Sequence, residues 1–589
     1  MTRRIMGIIS AFLLLTSSAF AREGTLTNYH GVWVMNLYGS RTEMAAQHGR
    51  LIRNRINETA LPFFSNKIHN AIKQTYIIKD FPALAAPTLA AIDFWVTHPL
   101  RRALPHEDHE VLKAFATAAH YPVNLAYNAG VVPDVGQWLT TTIFHKNNVL
   151  DGAFGGAGAF GCSSFVLPSA SGLVHARNLD YESYGIFDKY PAIIYFHPDK
   201  PGAQSYTSVT SLGIHTAGIT ATNASGLTVE IHQTFVSAVS RTGTPIIATT
   251  ERVIRDAHNF DEALHILKTA KYAGSWAVVV SSARENRAAV VEVSADGAQV
   301  REMPESNGKY LVMTNHVFTP LMKKREYAVN YSGYLESRER YALLDHEARE
   351  MSRTGRTDVQ SAIDLISNGP VAKLNNIQSV VFLPRQNAIY VAVPSIADTE
   401  PANGNFVALP ADGDFETFDA LPDLPRSQPP AHSRMLAHAL RRQASAAATE
   451  EGKFVQAAGL LLQAAELEPA NPEYTLLAAL SYLHASPGLK DDTARLAMSA
   501  RADELLLRAQ NANPSKYHES VIRLFRGRYL DSLGTAEART EALHQYSLVD
   551  TTYSKPLRDA VAADIKAPYG AREFRKITID YLHGDLYRF

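Results

Sequence analysis

The sequence predicts an α+β fold of layered sheets and helices, followed by a separate all-α region. Three observations carry that expectation. The texture of the chain switches from helical to strand-rich near Gly161. Beyond it, short β-rich runs and helical runs come in separate blocks, which favours layers of sheet and helix over alternating βα units. After a proline-rich stretch near residue 401 the chain turns helical again, rich in alanine and leucine.

The elements follow in chain order. Arg3 and Arg4 precede an apolar run from Ile5 to Leu15, and Ala19-Phe20-Ala21 fits a small-residue cleavage site. Residues 1–21 therefore read as a secretory signal peptide, predicting an exported, periplasmic protein; the arginine pair also permits twin-arginine export. No later run reaches the roughly 18 apolar residues of a spanning helix. Residues 22–161 read as a helical N-terminal segment, because EMAAQHGRLIRNRI and HEVLKAFATAAHYPVNLAYNAG place apolar residues at helical spacing. From 162 to 400, CSSFVLP, GLVHARNL, AIIYFHP, GITATN, GLTVEIHQTF, SWAVVVSSA and RAAVVEVS read as strands. ERVIRDAHNFDEALHILKTA and ESRERYALLDHEAREM read as helices among them, and SVVFLPRQNAIYVAVP as a last hairpin. Residues 401–432, proline-rich and acidic, read as a linker. Residues 433–589 read as helical units turning at Pro472 and Pro514. Their turns resemble tetratricopeptide repeats, at a wider and less regular spacing than the roughly 34-residue period. This region is expected to be separable from the rest and to offer a surface to a protein partner.

Composition narrows the function. With 46% apolar and 20% charged residues the chain is ordinary for a globular protein, and a net charge of -1 gives no electrostatic case for nucleic acid. One cysteine, Cys162, cannot form an intramolecular disulfide, so in an exported chain it is a candidate reactive thiol. Several other patterns lack their context. Gly156, Gly158 and Gly161 match G-x-G-x-x-G, but strands follow where a dinucleotide site needs a helix. His106 and His109 sit at a helix start without further ligand spacing. His175, His232 and His316 are candidate bases, but a lone histidine near a strand is usually a hydrogen-bonded structural group. No cofactor or metal is expected.

Around Cys162 the residues make a case of their own. A hairpin of CSSFVLP and GLVHARNLDY brings Arg177 and Asp180 back beside Cys162, and an arginine near a thiol lowers its pKa. The motifs Gly161-Cys162, R-N-L-D at 177–180, N-x-x-G-L at 223–227, T-N-H at 314–316 and S-R-x-R at 337–340 occur in one order. In that order they resemble the N-terminal-nucleophile amidases, closest in pattern to the C45 peptidase and penicillin acyltransferase branch, related to choloylglycine hydrolase and acid ceramidase. The resemblance covers roughly residues 30 to 395. It implies a four-layer αββα core and self-cleavage before Cys162, with the freed amine as general base for its own thiol. It further implies that Asp180 holds that amine, that Arg177 sits beside the thiolate and that Asn315 serves the oxyanion. Gln233 is implied as a second oxyanion donor and Arg338 as the distal arginine. The expected reaction is hydrolysis of a linear N-acyl amide of a small molecule. Acyl transfer to an amine, and a catalytically dead scaffold with a helical partner surface, remain alternatives. The apolar segment from Leu61 to Leu100 is expected either to fill the core or to wall an acyl-chain pocket.

Overall fold

The computed structural model describes residues 22–144 and 160–589, apart from 74, 76–77, 79–80, 171, 305–308, 417 and 419–420. The signal-peptide reading of residues 1–21, and most of the glycine-rich run, lie outside the described residues.

The described chain opens with strands, not helix. TLTNY and VWVMNLY form β1 (Thr25–Tyr29) and β2 (Val32–Tyr38). His30 and Gly31, both at positive φ, make the two-residue turn whose twist suits a hairpin. Helix α1 (Arg41–Ile52) starts on a capping box between Ser40 and Glu43. Helices α2 (Ala60–Lys73), α3 (His106–Ala118) and α4 (Val123–Leu139) follow, with shorter helical pieces, among them Ala85–Ile92 and His98–Arg102, between α2 and α3. The helical reading of residues 22–161 thus needs correction at both ends, since β3 (Phe160–Ser169) begins before Cys162.

The strands from β3 onward build two sheets. They are β4 (Gly172–Tyr181), β5 (Pro191–His197), β6 (Tyr206–Ser211), β7 (Thr220–Asn223), β8 (Leu227–Gln233), β9 (Trp276–Ser282), β10 (Arg287–Ser294), β11 (Gly297–Glu302), β12 (Leu311–Met313), β13 (Asn376–Leu383), β14 (Ala388–Val393), β15 (Asn405–Pro410) and β16 (Leu424–Pro425). The first sheet runs β1-β2-β5-β6-β7-β8-β9-β10-β11, antiparallel except between β2 and β5. The second runs β12-β3-β4-β13-β14-β15-β16. Val34, Ile193 and Val209 of the first pack against Val380, Phe382 and Val391 of the second. On the outer face of the first sheet, Ile231 and Val278 meet Met44 and Phe115 of the N-terminal helices. They also meet Val253 and Leu267, from α5 (Ile246–Asp256) and α6 (Phe260–Thr269). On the outer face of the second, Phe165, Leu167 and Val381 meet Leu344 and Ile363 of α7 (Tyr331–Thr354) and α8 (Val359–Ile366). The order is helix, sheet, sheet, helix.

The linker and C-terminal expectations change. NFVALP, inside the stretch read as linker, is β15, fully paired with β14. Helix α9 (His432–Thr449) then leads into Phe454–Leu467, Pro472–Ala485, Asp492–Asn511, Lys516–Ser532, Ala536–Ser547 and Lys555–Lys566. Asn471 caps the third of these helices with Pro472 at its first position, so the predicted turn chemistry is present. The region is not all-α: it ends in the hairpin β17 (Thr578–Asp580) and β18 (Asp585–Arg588). Nor does it hang free. Arg442 of α9 forms a buried 2.8 Å ion pair with Asp188, and Lys67 of α2 lies 3.5 Å from Glu450. Removing one partner of a buried pair costs about 3–5 kcal/mol, so a chain stopped near Pro425 loses support inside the sheet and helix layers.

Candidate active site

The site grows from the β3–β4 register. In this antiparallel pair Gly161 lies opposite Asp180, Cys162 opposite Leu179 and Ser164 opposite Arg177. Cys162 is fully buried and faces the gap between the sheets. Arg177 reaches across the same gap: its Nη2 lies 3.8 Å from Cys162 Sγ and donates to the Ile231 carbonyl at 2.8 Å, while Nη1 donates to the Ile219 carbonyl at 2.6 Å and to Thr220 Oγ1. Its Nε is 3.5 Å from Glu230 Oε2.

Glu230 anchors a buried polar cluster that sequence reasoning missed. His232 Nε2 lies 3.1 Å and His175 Nε2 3.3 Å from its Oε1. Burial opposes the charge, but the flanking imidazoles hold Glu230 well below the carboxylate range. His232 also meets Ser164 Oγ at 2.9 Å, and His175 meets Ser281 Oγ at 2.8 Å. His316 packs against Ser337 Oγ and Thr314 Oγ1, and burial with nearby cations lowers it to about 3. None of the three histidines makes a hydrogen bond to the thiol.

Asp180 Oδ1 accepts from Asn376 Nδ2 at 3.0 Å, while Oδ2 is buried without a hydrogen-bond partner. Burial raises its pKa, with Lys373 and Arg340 opposing. A β-carbon on Gly161 would stand 3.2 Å from that Oδ2 and 3.1 Å from Lys373 Nζ. Space at Gly161 is therefore tight, and a methyl there needs Asp180 and Lys373 to shift by a few tenths of an ångström; its φ is not positive, so left-handed freedom plays no part. The expected activation of the thiol by Arg177 is outweighed in this continuous chain. Burial pushes the Cys162 thiol up, Arg177 opposes it, and Asp180 adds to the rise.

Asn315, just after β12, reaches the same bond. Its Oδ1 accepts from the Cys162 N–H at 2.8 Å and its Nδ2 donates to the Gln233 carbonyl at 2.9 Å. Gln233, buried at the end of β8, is brought against Asn315 through its main chain. The distal arginine needs correction. Arg338 is exposed, stacked on Tyr334 with a 2.7 Å bond to its hydroxyl, and touches nothing at Cys162. Arg340 is the buried one. Its Nη1 donates at 2.6 Å to both the Cys162 carbonyl and Ser163 Oγ, and Nη2 donates to Asn315 Oδ1 at 3.0 Å. Helical spacing was the available signal: Ser337, Arg340 and Leu344 share the inward face of α7, while 338 and 339 point out.

Two cavities flank the site. One, about 690 Å³ with its mouth, is lined by Gly161, Asn315, Arg340, Lys373, Tyr327 and His583. The other, about 950 Å³, is lined mainly by apolar side chains, including Leu61, Phe64, Val111, Phe115 and Leu179. Leu179 is the register partner of Cys162.

Residues 169–399 match the family described as acyl-coenzyme A:6-aminopenicillanic acid acyl-transferase, a segment that begins just after Cys162. No curated protein matches the chain. Among solved structures, a Caenorhabditis elegans N-acylethanolamine-hydrolyzing acid amidase (NAAA) ortholog is similar at 17% identity and a TM-score of 0.31, over 38% of this chain and 93% of that one. Over residues 169–399 the chain is thus similar to the acyl-coenzyme A:6-aminopenicillanic acid acyl-transferase family.

Proposed function

We propose that the protein is a self-processing amidase whose nucleophile is Cys162. The observation that carries this reading is the convergence of Arg177, Asp180, Asn315 and Arg340 on the single Gly161–Cys162 peptide bond. In the first step Sγ attacks the Gly161 carbonyl, the C–N bond breaks, and the thiol proton ends on the Cys162 nitrogen. The Cys162 amine is then free, and water hydrolyses the thioester, releasing the thiol and the Gly161 carboxylate. The unpartnered Oδ2 of Asp180 would then hold that new ammonium. A free α-amine titrates at about 7.7–8.0, so near neutral pH it can take the proton from its own thiol. In turnover Sγ attacks an amide carbonyl, Asn315 Nδ2 donates to the oxyanion with Gln233 beside it, and the leaving amine takes the proton. Water then deacylates the enzyme; an amine in its place gives acyl transfer.

The apolar cavity supports an acyl group longer than acetyl, walled partly by Leu61 and Phe64 from the apolar N-terminal segment. The sequence pattern of residues 1–21 supports export to the periplasm. A purely scaffolding role is disfavoured, because α9 and the C-terminal hairpin face the enzyme's own core. Intact mass decides the reading. The purified protein should consist of chains 22–161 and 162–589, and Cys162→Ala should remain one chain and turn over nothing. A single uncleaved chain with full amidase activity would reject it.

A further inference from the structure

The Gly161–Cys162 bond is flanked by a charged cluster whose last member comes from the far end of the chain. Lys373 Nζ stands 3.1 Å from where a β-carbon of Gly161 would be. It pairs with Glu336 Oε2 at 3.0 Å, and Glu336 Oε1 is 4.0 Å from Arg340 Nε. The same Glu336 Oε2 is 2.8 Å from His583 Nε2, and that nitrogen is 3.0 Å from Lys373 Nζ. His583 lies in the turn between β17 and β18 and lines the same cavity as Gly161 and Asn315.

The turn is built to hold that ring still. Asp580 Oδ2 is 2.6 Å from His583 Nδ1, and its Oδ1 accepts the main-chain N–H groups of Leu582 and His583. Arg441 of α9 donates to the carbonyls of Tyr581 and Leu582 at 2.6 and 3.0 Å and is itself paired with Glu473. Tyr517 and the N-terminus of α7 both bond to Asp585. Gly584, at φ 63, closes the turn.

Resting on the amidase reading above, we propose that His583 is a positioning residue for that site. It bridges Asp580 to Glu336, and Glu336 in turn holds Lys373 and Arg340 against the two residues of the bond to be cut. The C-terminal region is then part of the processing machinery. The groups facing the ring are Asp580 on its own hairpin, Glu336 on α7 and Lys373 after α8; Tyr587 of β18 bonds to Asp580. Burial disfavours the imidazolium, but Asp580 and Glu336 outweigh burial and Lys373 and lift His583 to about 9. The imidazolium therefore donates to both carboxylates below that pH and loses one of these bonds above it. The sign for stability is the same: a raised folded-state pKa contributes below the ordinary histidine range and is lost as pH rises through about 9.

The test is the self-cleavage rate of the full chain against pH, read by intact mass, with urea melts alongside. His583→Ala should slow cleavage about 10–100-fold, the scale of a misplaced reacting group. His583→Gln keeps a donor without the charge, and should fall between Ala and wild type at pH 7. The wild-type advantage over His583→Gln should shrink toward one as pH passes about 9. If His583→Ala fails to fold, the glutamine variant decides alone. Wild-type-like rates in the variants, or an advantage that does not change with pH, would overturn the proposal. Failure of the wild-type chain to cleave before Cys162 would instead overturn the amidase reading on which it rests.

Discussion

Arg338 and Arg340 make a sharp contrast, because they stand two residues apart on one helix and have opposite surroundings. In Arg340→Met the side chain keeps its bulk and loses its donors. Three acceptors are then deprived: the Cys162 carbonyl, Ser163 Oγ and Asn315 Oδ1. A stranded buried acceptor costs about 1–3 kcal/mol. These three share one network and are not additive, and removing one member of a buried charged group costs about 3–5 kcal/mol in total. That is a large part of the roughly 5–15 kcal/mol by which a domain is stable, but below the upper end of that range. Arg340→Met should therefore fold with a lowered urea midpoint. It should also cleave slowly, because the Asn315 amide loses one of the bonds that orient it. Arg338→Ala removes only a surface stack on Tyr334 and should match wild type in both assays. The readouts are a denaturant melt and a mass-spectrometric time course of cleavage. A dead Arg338→Ala beside a normally cleaving Arg340→Met would show that α7 is turned the other way.

Three further outcomes follow from the site. Asn315→Ala should lower kcat by about 10²–10³, the usual cost of one oxyanion donor, and a change under about threefold would leave the residue a structural tie between β3 and β8. Gly161→Ala should slow cleavage, because its methyl meets Asp180 Oδ2 at 3.2 Å and Lys373 Nζ at 3.1 Å; an unchanged rate would mean that these two side chains yield freely. Across acetyl, hexanoyl and decanoyl amides of one amine, kcat/KM should climb by up to about tenfold for each two carbons, since each fully buried CH₂ is worth about 0.8 kcal/mol. A flat series would leave Leu61 and Phe64 as core.

What the sequence disclosed depended on range. The β3–β4 hairpin was legible because strand alternation and a short turn fix its register, which sets Arg177 and Asp180 beside Cys162. Asn315 came only from the order of motifs, since no local rule joins β12 to β3. The distal arginine was misplaced by two residues although its helix was found; the facing of Ser337 and Leu344 decides between 338 and 340. Glu230 stayed hidden because a charged residue in an apolar strand reads as a solvent-facing position until the other sheet supplies its partners. Strand β15 was lost to its acidic, proline-rich flanks. His583 lies in a segment with no periodicity of its own, and only the packed layers bring it to Gly161.

The last expectation concerns Asp180, whose environment in the uncleaved chain is unfavourable to its charge. It is fully buried, one oxygen has no hydrogen-bond partner, and burial lifts its pKa despite Lys373 and Arg340. A carboxylate raised in the folded state binds more protons folded than unfolded. Its ionisation therefore subtracts stability as pH rises from the ordinary aspartate range through the raised value, and the loss stays at neutral pH. Cleavage before Cys162 would supply an ammonium beside that oxygen and relieve the loss, so release of the amine is favoured electrostatically as well as chemically. The uncleavable Cys162→Ala chain isolates the effect. Adding Asp180→Asn there keeps an oxygen for Asn376 Nδ2 and removes the charge. The double variant should be at least as stable as Cys162→Ala at pH 8, with the difference closing as the pH falls and Asp180 takes up its proton. A paired, well-solvated carboxylate would behave the other way, and its removal would cost several kcal/mol. Urea midpoints of the two proteins between pH 4 and 8 separate these cases. A large loss in the double variant at pH 8 would mean that Asp180 is already compensated before the bond is cut.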